Sequence, residues 1–155
     1  FVAGALHAAR QRGAKTIFMA CVPVEQVSCE ADVDIRLLVG PEVVAGSTRL
    51  KAGTVTKMAL NIISTGVMVK LGKVYGNRMV DVAVTNKKLR DRAVRMLQDL
   101  TDLNRDEAGF LLEKSGKSVK LALMIHWTGL EKEECDRILG EFQGNLRSAV
   151  ASIGH

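Results

Sequence analysis

The chain has 155 residues, of which 47% are hydrophobic and only 4% aromatic, and its formal net charge is +5. This length fits one domain with at most a small appendage, and the composition predicts an aliphatic core. The basic residues are scattered without interleaved aromatic side chains, so we expect no nucleic-acid partner. We expect no apolar stretch long enough to span a bilayer and no signal peptide, and therefore no membrane partner.

Cysteines and histidines show no metal-ligand spacing. The chain has no C-x-x-C pair, which argues against structural zinc and against a disulfide scaffold, and reduced thiols fit a cytoplasmic location. The three cysteines are Cys21, Cys29 and Cys135. His7 is expected to be packed or exposed on its helix, His126 is expected to pack beside Trp127, and His155 is terminal. We therefore predict no metal site and no cofactor.

The first third of the chain predicts half of an α/β repeat. Residues 2–12 are typical of a helix that ends at Gly13, and residues 15–22 form an apolar run that suits a strand buried on both faces of a parallel sheet. Residues 33–39 alternate, which suits a half-covered strand. The fold class predicted from this order is α/β.

A glycine-flanked polar cluster follows and precedes the longest predicted helix. It reads Gly-Pro-Glu-Val-Val-Ala-Gly-Ser-Thr-Arg-Leu-Lys-Ala-Gly-Thr over residues 40–54. Gly46 permits a tight turn, and Ser47 or Thr48 can cap the helix. A helix start attracts anions, to which Arg49 and Lys51 add full charges. The cluster is either an anion site or simply a capped helix with surface charges.

The predicted helix over residues 48–71 is apolar around most of its circumference, which is typical of an interior or of a subunit interface. A polar line remains at Lys57, Asn61 and Ser64, either as a solvated edge or as the floor of a pocket. Met58 within this helix is expected to fill the core.

The second half of the chain predicts an extended segment and then helices. Residues 79–84 alternate like a strand or an extended arm. Thr85-Asn86 can cap a helix that runs to about residue 102, with Ala93, Met96 and Leu97 on its buried side. Three shorter helices follow, over residues 106–114, 118–127 and 132–142. A last helical turn to Val150 is possible. They predict one small core that docks on the rest of the chain.

Two motifs resemble a known family. The cluster over residues 40–54 resembles the signature of N-acetylmuramic acid 6-phosphate etherases, which is shared in looser form with glucokinase regulatory protein. The run Gly-Lys-Val-Tyr-Gly-Asn-Arg-Met-Val-Asp-Val over residues 72–82, followed by Thr-Asn-Lys-Lys-Leu, resembles the etherase branch. A departure occurs at Ala-Cys-Val-Pro over residues 20–23, where the etherases tend to have Ser-Cys-Asn-Pro. The chain resembles the carboxyl-terminal half of such an enzyme.

The resemblance implies a fold and an activity. It implies that residues 1–103 are the carboxyl-terminal part of a sugar isomerase (SIS) domain, with a parallel sheet sandwiched by helices. Residues 104–155 would form a small three-helix, ubiquitin-associated-like domain. The implied enzyme is a cytoplasmic, homodimeric carbon-oxygen lyase of peptidoglycan recycling. It cleaves the D-lactyl ether of N-acetylmuramic acid 6-phosphate. The alternative is a non-catalytic sugar-phosphate-binding regulator.

The resemblance also implies where the substrate is bound. The catalytic glutamates of the etherases are expected outside this chain, so no catalytic acid or base is assigned here. The predicted substrate-binding residues are Glu42, Ser47, Thr48, Arg49 and Lys51. Glu42 is interpreted as a contact to a substrate hydroxyl rather than as a proton-transfer group.

Overall fold

The computed structural model describes residues 1–154, and they form two compact units. The amino-terminal unit comprises Phe1–Ser64, and the helical unit begins at Thr65. Helices and strands are both present, so the predicted α/β class is confirmed.

The amino-terminal unit contains helix α1 (Val2–Gln11) and two short parallel strands, β1 (Ile17–Ala20) and β2 (Val33–Arg36). Ile17 pairs with Val33 at the start of the register, and Ala20 pairs with Arg36 at its end. All three elements were predicted from the sequence, although both strands are shorter than the predicted runs. The parallel pairing places the carboxyl ends of both strands at the same edge.

A polar contact fixes the start of this strand pair. The Asp32 carboxylate accepts hydrogen bonds of 2.9 Å from the Thr16 backbone N–H and from the Thr16 hydroxyl. These two donors, together with the Lys15 ammonium, hold the pKa of Asp32 well below its usual range. Thr16 and Asp32 therefore lock the register of β1 and β2 just before the first residue pair.

Helix α2 (Lys51–Lys70) has 20 residues, none of them buried. It begins three residues after the predicted start, because residues 48–50 form a turn instead. By length and composition alone, α2 could cross a membrane, a test that core helices of soluble proteins also pass. The sequence-based expectation of no such stretch was therefore wrong. Met58 is 58% exposed, so its predicted role in core filling was also wrong within this chain.

An antiparallel hairpin follows, formed by β3 (Val74–Tyr75) and β4 (Arg78–Met79). Over residues 79–84, predicted to be a strand or an extended arm, the strand is confirmed only at Met79, and the chain continues without regular structure to Thr85. Val80, the first residue after β4, is 1% exposed. The hairpin is therefore anchored to the helical core at its exit.

Five helices complete the chain: α3 (Lys87–Leu100), α4 (Arg105–Lys114), α5 (Val119–Thr128), α6 (Lys132–Glu141) and α7 (Leu146–Ala151). The predicted helices match α3 to α6 to within a few residues, and α7 confirms the predicted last turn.

Side-chain caps explain where several of these helices begin. The Asn86 side chain accepts a 2.9 Å bond from the Leu89 N–H, as the sequence predicted. Asn104 and Glu107 form a reciprocal capping box at the start of α4. Each cap satisfies backbone N–H groups that lack a partner in the first helical turn.

The main buried cluster lies entirely between Val80 and Ala149. Helix α3 contributes Ala93, Val94 and Leu97 and packs against α4 and α5. The predicted domain boundary after residue 103 falls between α3 and α4, and it remains a prediction. By contrast, the buried residues of the amino-terminal unit are Thr16 and Phe18.

Candidate functional site

The predicted substrate-binding residues lie in one loop, residues 42–50, and at the first position of α2. Glu42 and Ser47 are half-buried, whereas Thr48 and Arg49 are exposed. Lys51 is the first residue of α2 and is half-buried. The structure therefore brings all five predicted residues into one local segment of the amino-terminal unit.

Glu42 caps α2 from a distance along the chain. Its two carboxylate oxygens accept hydrogen bonds from the backbone N–H groups of Lys51 at 2.8 Å and Ala52 at 3.0 Å. These bonds, the Ala52 bond first, lower the pKa of Glu42. Ser47 or Thr48 had been predicted to cap the helix. That prediction was wrong, because three turn residues separate Ser47 from α2 and Glu42 accepts from the free N–H groups.

The Lys51 side chain also closes this loop, by binding the backbone next to Glu42. Its ammonium donates a 3.0 Å hydrogen bond to the carbonyl oxygen of Pro41. Gly40, just before that proline, has a φ of +68°, and a Cβ there would stand 3.9 Å from the Lys51 Nζ. The Glu42 side chain thus binds the backbone at Lys51, while the Lys51 side chain binds the backbone beside Glu42.

Consecutive turns shape the loop between these two residues. The Ser47 N–H donates to the Val44 carbonyl at 3.0 Å, and the Leu50 N–H donates to the Ser47 carbonyl at 3.2 Å. Gly46 has a φ of +80°, which confirms the tight turn predicted there. Within residues 1–154, no side-chain hydrogen bond or ion pair engages Ser47, Thr48 or Arg49. Two hydroxyls and one guanidinium therefore remain available to a ligand.

A small cavity lies at the carboxyl ends of β1 and β2, next to this loop in sequence. Open α/β sheets place ligands at this edge. The cavity is lined by Cys21, Val22, Pro23, Gln26, Leu38, Gly40 and Pro41. Arg36 supports its wall by donating a 3.1 Å hydrogen bond to the Val22 carbonyl, while its guanidinium lies 5.0 Å from the centre of the Phe18 ring.

Arg36 was not singled out in the sequence. Its side chain is 15% exposed and pairs with Asp34 at 2.6 Å. The available signal was a charged pair two residues apart within an otherwise apolar strand, since such a spacing places both side chains on one face. Arg36 fixes the turn that follows β1 and thereby shapes the cavity.

The second sequence motif, over residues 72–82, docks the hairpin onto the helical core. The Tyr75 ring lies 5.0 Å from the Trp127 ring, and the Arg147 guanidinium lies 5.2 Å from Tyr75. Asp81 pairs with Lys73 and, at 3.7 Å, with Lys120. The pKa of Asp81 is lowered, mainly by its hydrogen bond from Lys73.

A cleft between the hairpin and α3 was not predicted. Two of its arginines are paired, Arg78 with Asp99 at 2.7 Å and Arg95 with Asp91 at 2.7 Å. Two further cations are one helical turn apart on α3 and make no ion pair within residues 1–154. They are Lys88 and Arg92. Their spacing of four residues was the signal in the sequence. Their charges suit an anion such as a phosphate.

Within residues 1–154, no histidine lines the cavity beside the loop or the cleft of the helical unit. No cluster of residues that could hold a metal ion occurs in the described part of the chain. The His7 ring contacts the Gln11 side chain at 2.9 Å. His126 is exposed, so its interpretation as packed was wrong, and His155 lies outside the described residues. Burial raises the pKa of the Cys135 thiol.

Comparisons with known proteins bear on both motifs. The chain is 77% identical to an N-acetylmuramic acid 6-phosphate etherase of Nostoc punctiforme over 152 residues, which is 98% of this chain and 49% of that protein. It is 76% identical over 98% of its length to the etherase of Trichormus variabilis, of which it covers 50%. The Synechocystis etherase is 70% identical over 97% of this chain and 49% of its own length. The predicted resemblance to the etherases is confirmed.

The chain spans about half the length of these etherases. A second comparison concerns the helical unit. The sequence model for the C-terminal lid domain of glucokinase regulatory protein matches residues 76–122. That match begins at the hairpin turn and runs through α3 and α4 into α5. The etherase-like motif over residues 72–82 therefore extends into the lid-like region, where its observed contacts are with the helical core.

Proposed function

We propose that this chain is the carboxyl-terminal part of an N-acetylmuramic acid 6-phosphate etherase. The single observation that supports the proposal most strongly is 77% identity to a curated etherase over 98% of the chain. Identity of this extent covers the loop, the strands, the hairpin and the helices described above. The proposal includes a cytoplasmic location and a homodimer, as the resemblance implies.

The proposed reaction breaks the ether bond between D-lactate and the sugar. Opening the sugar ring to the aldehyde makes the proton on C2 acidic. A base then removes that proton, and an acid protonates the departing lactyl oxygen. Addition of water gives N-acetylglucosamine 6-phosphate and D-lactate. The acid and base require carboxyl groups with separated pKa values. Glu42 does not fit either role, because both of its oxygens already accept backbone hydrogen bonds.

The loop over residues 42–51 is proposed to bind the substrate. Arg49 supplies an exposed guanidinium that suits a phosphate or a carboxylate, and the hydroxyls of Ser47 and Thr48 can donate beside it. Glu42 and Lys51 belong to the same proposed site. Their polar groups are already engaged within the loop. Binding energy from such remote contacts orients the reacting end of a substrate.

The cleft of the helical unit is proposed as a second anion-binding region. Lys88 and Arg92 provide two positive charges that the neighbouring aspartates do not neutralise. The substrate itself carries two anionic groups, a phosphate and a lactyl carboxylate. Reversing one of the two positive charges of the cleft, in Arg92→Glu, should raise the KM of an active enzyme. The rise should exceed that caused by the same reversal at Arg12, which lies outside the cleft.

The finer architecture is also part of the proposal. The parallel pairing of β1 and β2 fits a fragment of a sugar isomerase (SIS) sheet that is sandwiched by helices. Residues 1–103 would belong to that domain, and residues 104–155 would form the ubiquitin-associated-like domain. Limited proteolysis of the etherase chimera tests the boundary, because a junction between two domains near residue 103 should be among the first sites cleaved. Cleavage only elsewhere would contradict it.

A chimera tests the activity. In it, the 155-residue chain replaces the matching half of the Nostoc punctiforme etherase, and D-lactate release from N-acetylmuramic acid 6-phosphate is measured. We expect turnover comparable to that of the parent enzyme. Arg49→Ala should raise KM by about tenfold or more, since a charge-assisted hydrogen bond is lost, whereas Lys114→Ala, at an exposed lysine outside the loop, should not. A folded chimera that releases no D-lactate would contradict the proposal.

The alternative function is a regulator that binds sugar phosphates without turnover. The match of residues 76–122 to the lid domain of glucokinase regulatory protein favours it. Calorimetry with the chimera separates the two functions. A regulator would bind N-acetylmuramic acid 6-phosphate and leave it intact, whereas an etherase would consume it.

A further inference from the structure

Two reciprocal contacts close the loop over residues 42–51. The Glu42 carboxylate spans the N–H groups of Lys51 and Ala52, and the Lys51 ammonium reaches the Pro41 carbonyl. Each side chain therefore binds backbone on the opposite side of the loop opening. Two turns hold the interior of the loop, so its conformation is fixed at the opening and in the middle.

The polar groups of this segment divide into two classes. Glu42 and Lys51 are satisfied within the chain, whereas Arg49 and the hydroxyls of Ser47 and Thr48 have no side-chain partner within residues 1–154. A carboxylate that already accepts two charge-assisted hydrogen bonds gains little free energy by exchanging them for a bond from a neutral sugar hydroxyl. The two classes therefore fit two different tasks, holding the loop and contacting a ligand.

We infer that Glu42 and Lys51 form a clamp, a pair of positioning residues that preorganises the loop and presents Ser47, Thr48 and Arg49 to the substrate. This inference rests on the proposed function for its kinetic consequence, and it deepens that function by assigning separate roles within one motif. Without the clamp, the loop samples more conformations and binding must order it, which weakens affinity.

The clamp also explains the length of the motif. Residues 43–50 lie between the two members, so the acid, the glycine turn, the hydroxyls and the lysine are needed at fixed separations. A solvated acid or lysine would impose no such spacing. The two Glu42 bonds also fix the first turn of α2. They satisfy two backbone N–H groups for which the helix itself offers no acceptor.

Hydrogen exchange on the chimera tests the clamp without substrate. Glu42→Ala should accelerate exchange of the Lys51 and Ala52 amides by about tenfold or more, since both lose their acceptor. Glu42→Gln should give an intermediate result, because an amide offers only one carbonyl oxygen to two donors. Glu25→Ala is the matched control, at an exposed glutamate outside the loop. Equal exchange in the Glu42→Ala and Glu25→Ala proteins would overturn the inference.

Kinetics distinguish positioning from proton transfer. For Glu42→Gln we expect KM to rise about three- to tenfold, with kcat within about threefold of the parent and an unchanged pH profile. Lys51→Met should shift KM in the same direction, whereas Lys114→Met, at an exposed lysine outside the loop, should not. A loss of kcat by about 10²-fold or more at constant KM would instead show that Glu42 transfers a proton. An inactive parent chimera would reject the proposed function, and the exchange result would still decide the clamp.

Discussion

The two units differ in how they use an aliphatic sequence. In the helical unit, α3 to α7 bury one continuous cluster that includes Leu97, Leu112 and Leu123, all fully buried. In the amino-terminal unit, the buried residues are Thr16 and Phe18. Helix α2 shows the contrast most clearly, since Ile62 is 70% exposed and Leu60 is 54% exposed. Hydrophobic composition alone therefore does not determine burial, because an apolar helix also needs a surface to pack against.

The half-length match to the etherases gives this contrast a functional meaning. Apolar residues surround the start of α2, where the half-buried Val39 and Leu50 and the exposed Met58 line an open patch. This patch lies beside the clamp in sequence. A surface of this kind is typical of a region that becomes covered when more protein is present. We therefore expect the helical unit to be stable by its own core and the amino-terminal unit to depend on further contacts.

Truncating a core leucine should have the largest effect. Leu97→Ala should lower the free energy of unfolding of the 155-residue chain by about 3–5 kcal/mol, because it opens a cavity between α3 and its neighbours. Leu60→Ala, on the exposed surface of α2, should change it by less than about 0.5 kcal/mol. Urea unfolding followed by circular dichroism provides both values. Equal losses would contradict the contrast between the units.

The hairpin contact should be the next most sensitive. Gly72 has a φ of +65°, and a Cβ there would stand 2.7 Å from the Cα of Asn145. Gly72→Ala should therefore destabilise the helical unit by about 2–3 kcal/mol, from both strain and overlap. Gly76→Ala, at a φ of +57° with open space around it, should cost about 1 kcal/mol. Fluorescence of the single Trp127, which contacts Tyr75, reports the loss.

The ion pairs of Asp81 should have the smallest effect, and one that depends on pH. The pKa of Asp81 is lowered in the folded chain, mainly by its hydrogen bond from Lys73. The ionised Asp81 therefore stabilises the folded state at pH values above the ordinary pKa of 3.8. It is lost as the pH falls through the lowered value. At neutral pH, Asp81→Asn should cost about 0.5–1 kcal/mol, discounted for solvent screening. That cost should vanish once the pH is below the lowered pKa of Asp81.

The control for this pH dependence is Asp136→Asn. Asp136 is exposed on α6 and makes no ion pair within residues 1–154. Its substitution should leave the stability nearly unchanged across the same pH range. A pH-independent cost at Asp81 would show that its contribution is packing rather than charge.

Local signals were sufficient for most of the fold. The Asn86 cap and the spacing of Ala93, Met96 and Leu97 placed α3 correctly, because both act within one or two helical turns. Residues 15–22 identified β1 for a similar reason, since a short apolar run is a local property. The hairpin at residues 74–79 was missed because each of its strands has only two residues, too few to show alternation.

Long-range partners were not predictable. Ser47 and Thr48 lie close to the start of α2 in sequence, where a capping residue is expected. The cap is instead the Glu42 carboxylate, which lies on the other side of the loop. Arg36 gave no sign of its contact with the Val22 carbonyl, which exists only because β1 and β2 are paired. The motif thus marked this segment as a candidate site, whereas the proposed division of its residues into clamp and ligand-facing groups required coordinates.

Methionine oxidation tests most directly whether the amino-terminal unit is completed by further contacts. Met58 is 58% exposed in this chain, whereas Met96 and Met124 are 4% and 0% exposed and serve as internal references. Peroxide footprinting with mass spectrometry would compare the 155-residue chain with the etherase chimera. We predict that Met58 oxidises rapidly in the chain and becomes as protected as Met96 and Met124 in the chimera. Rapid oxidation of Met58 in an active chimera would contradict the account.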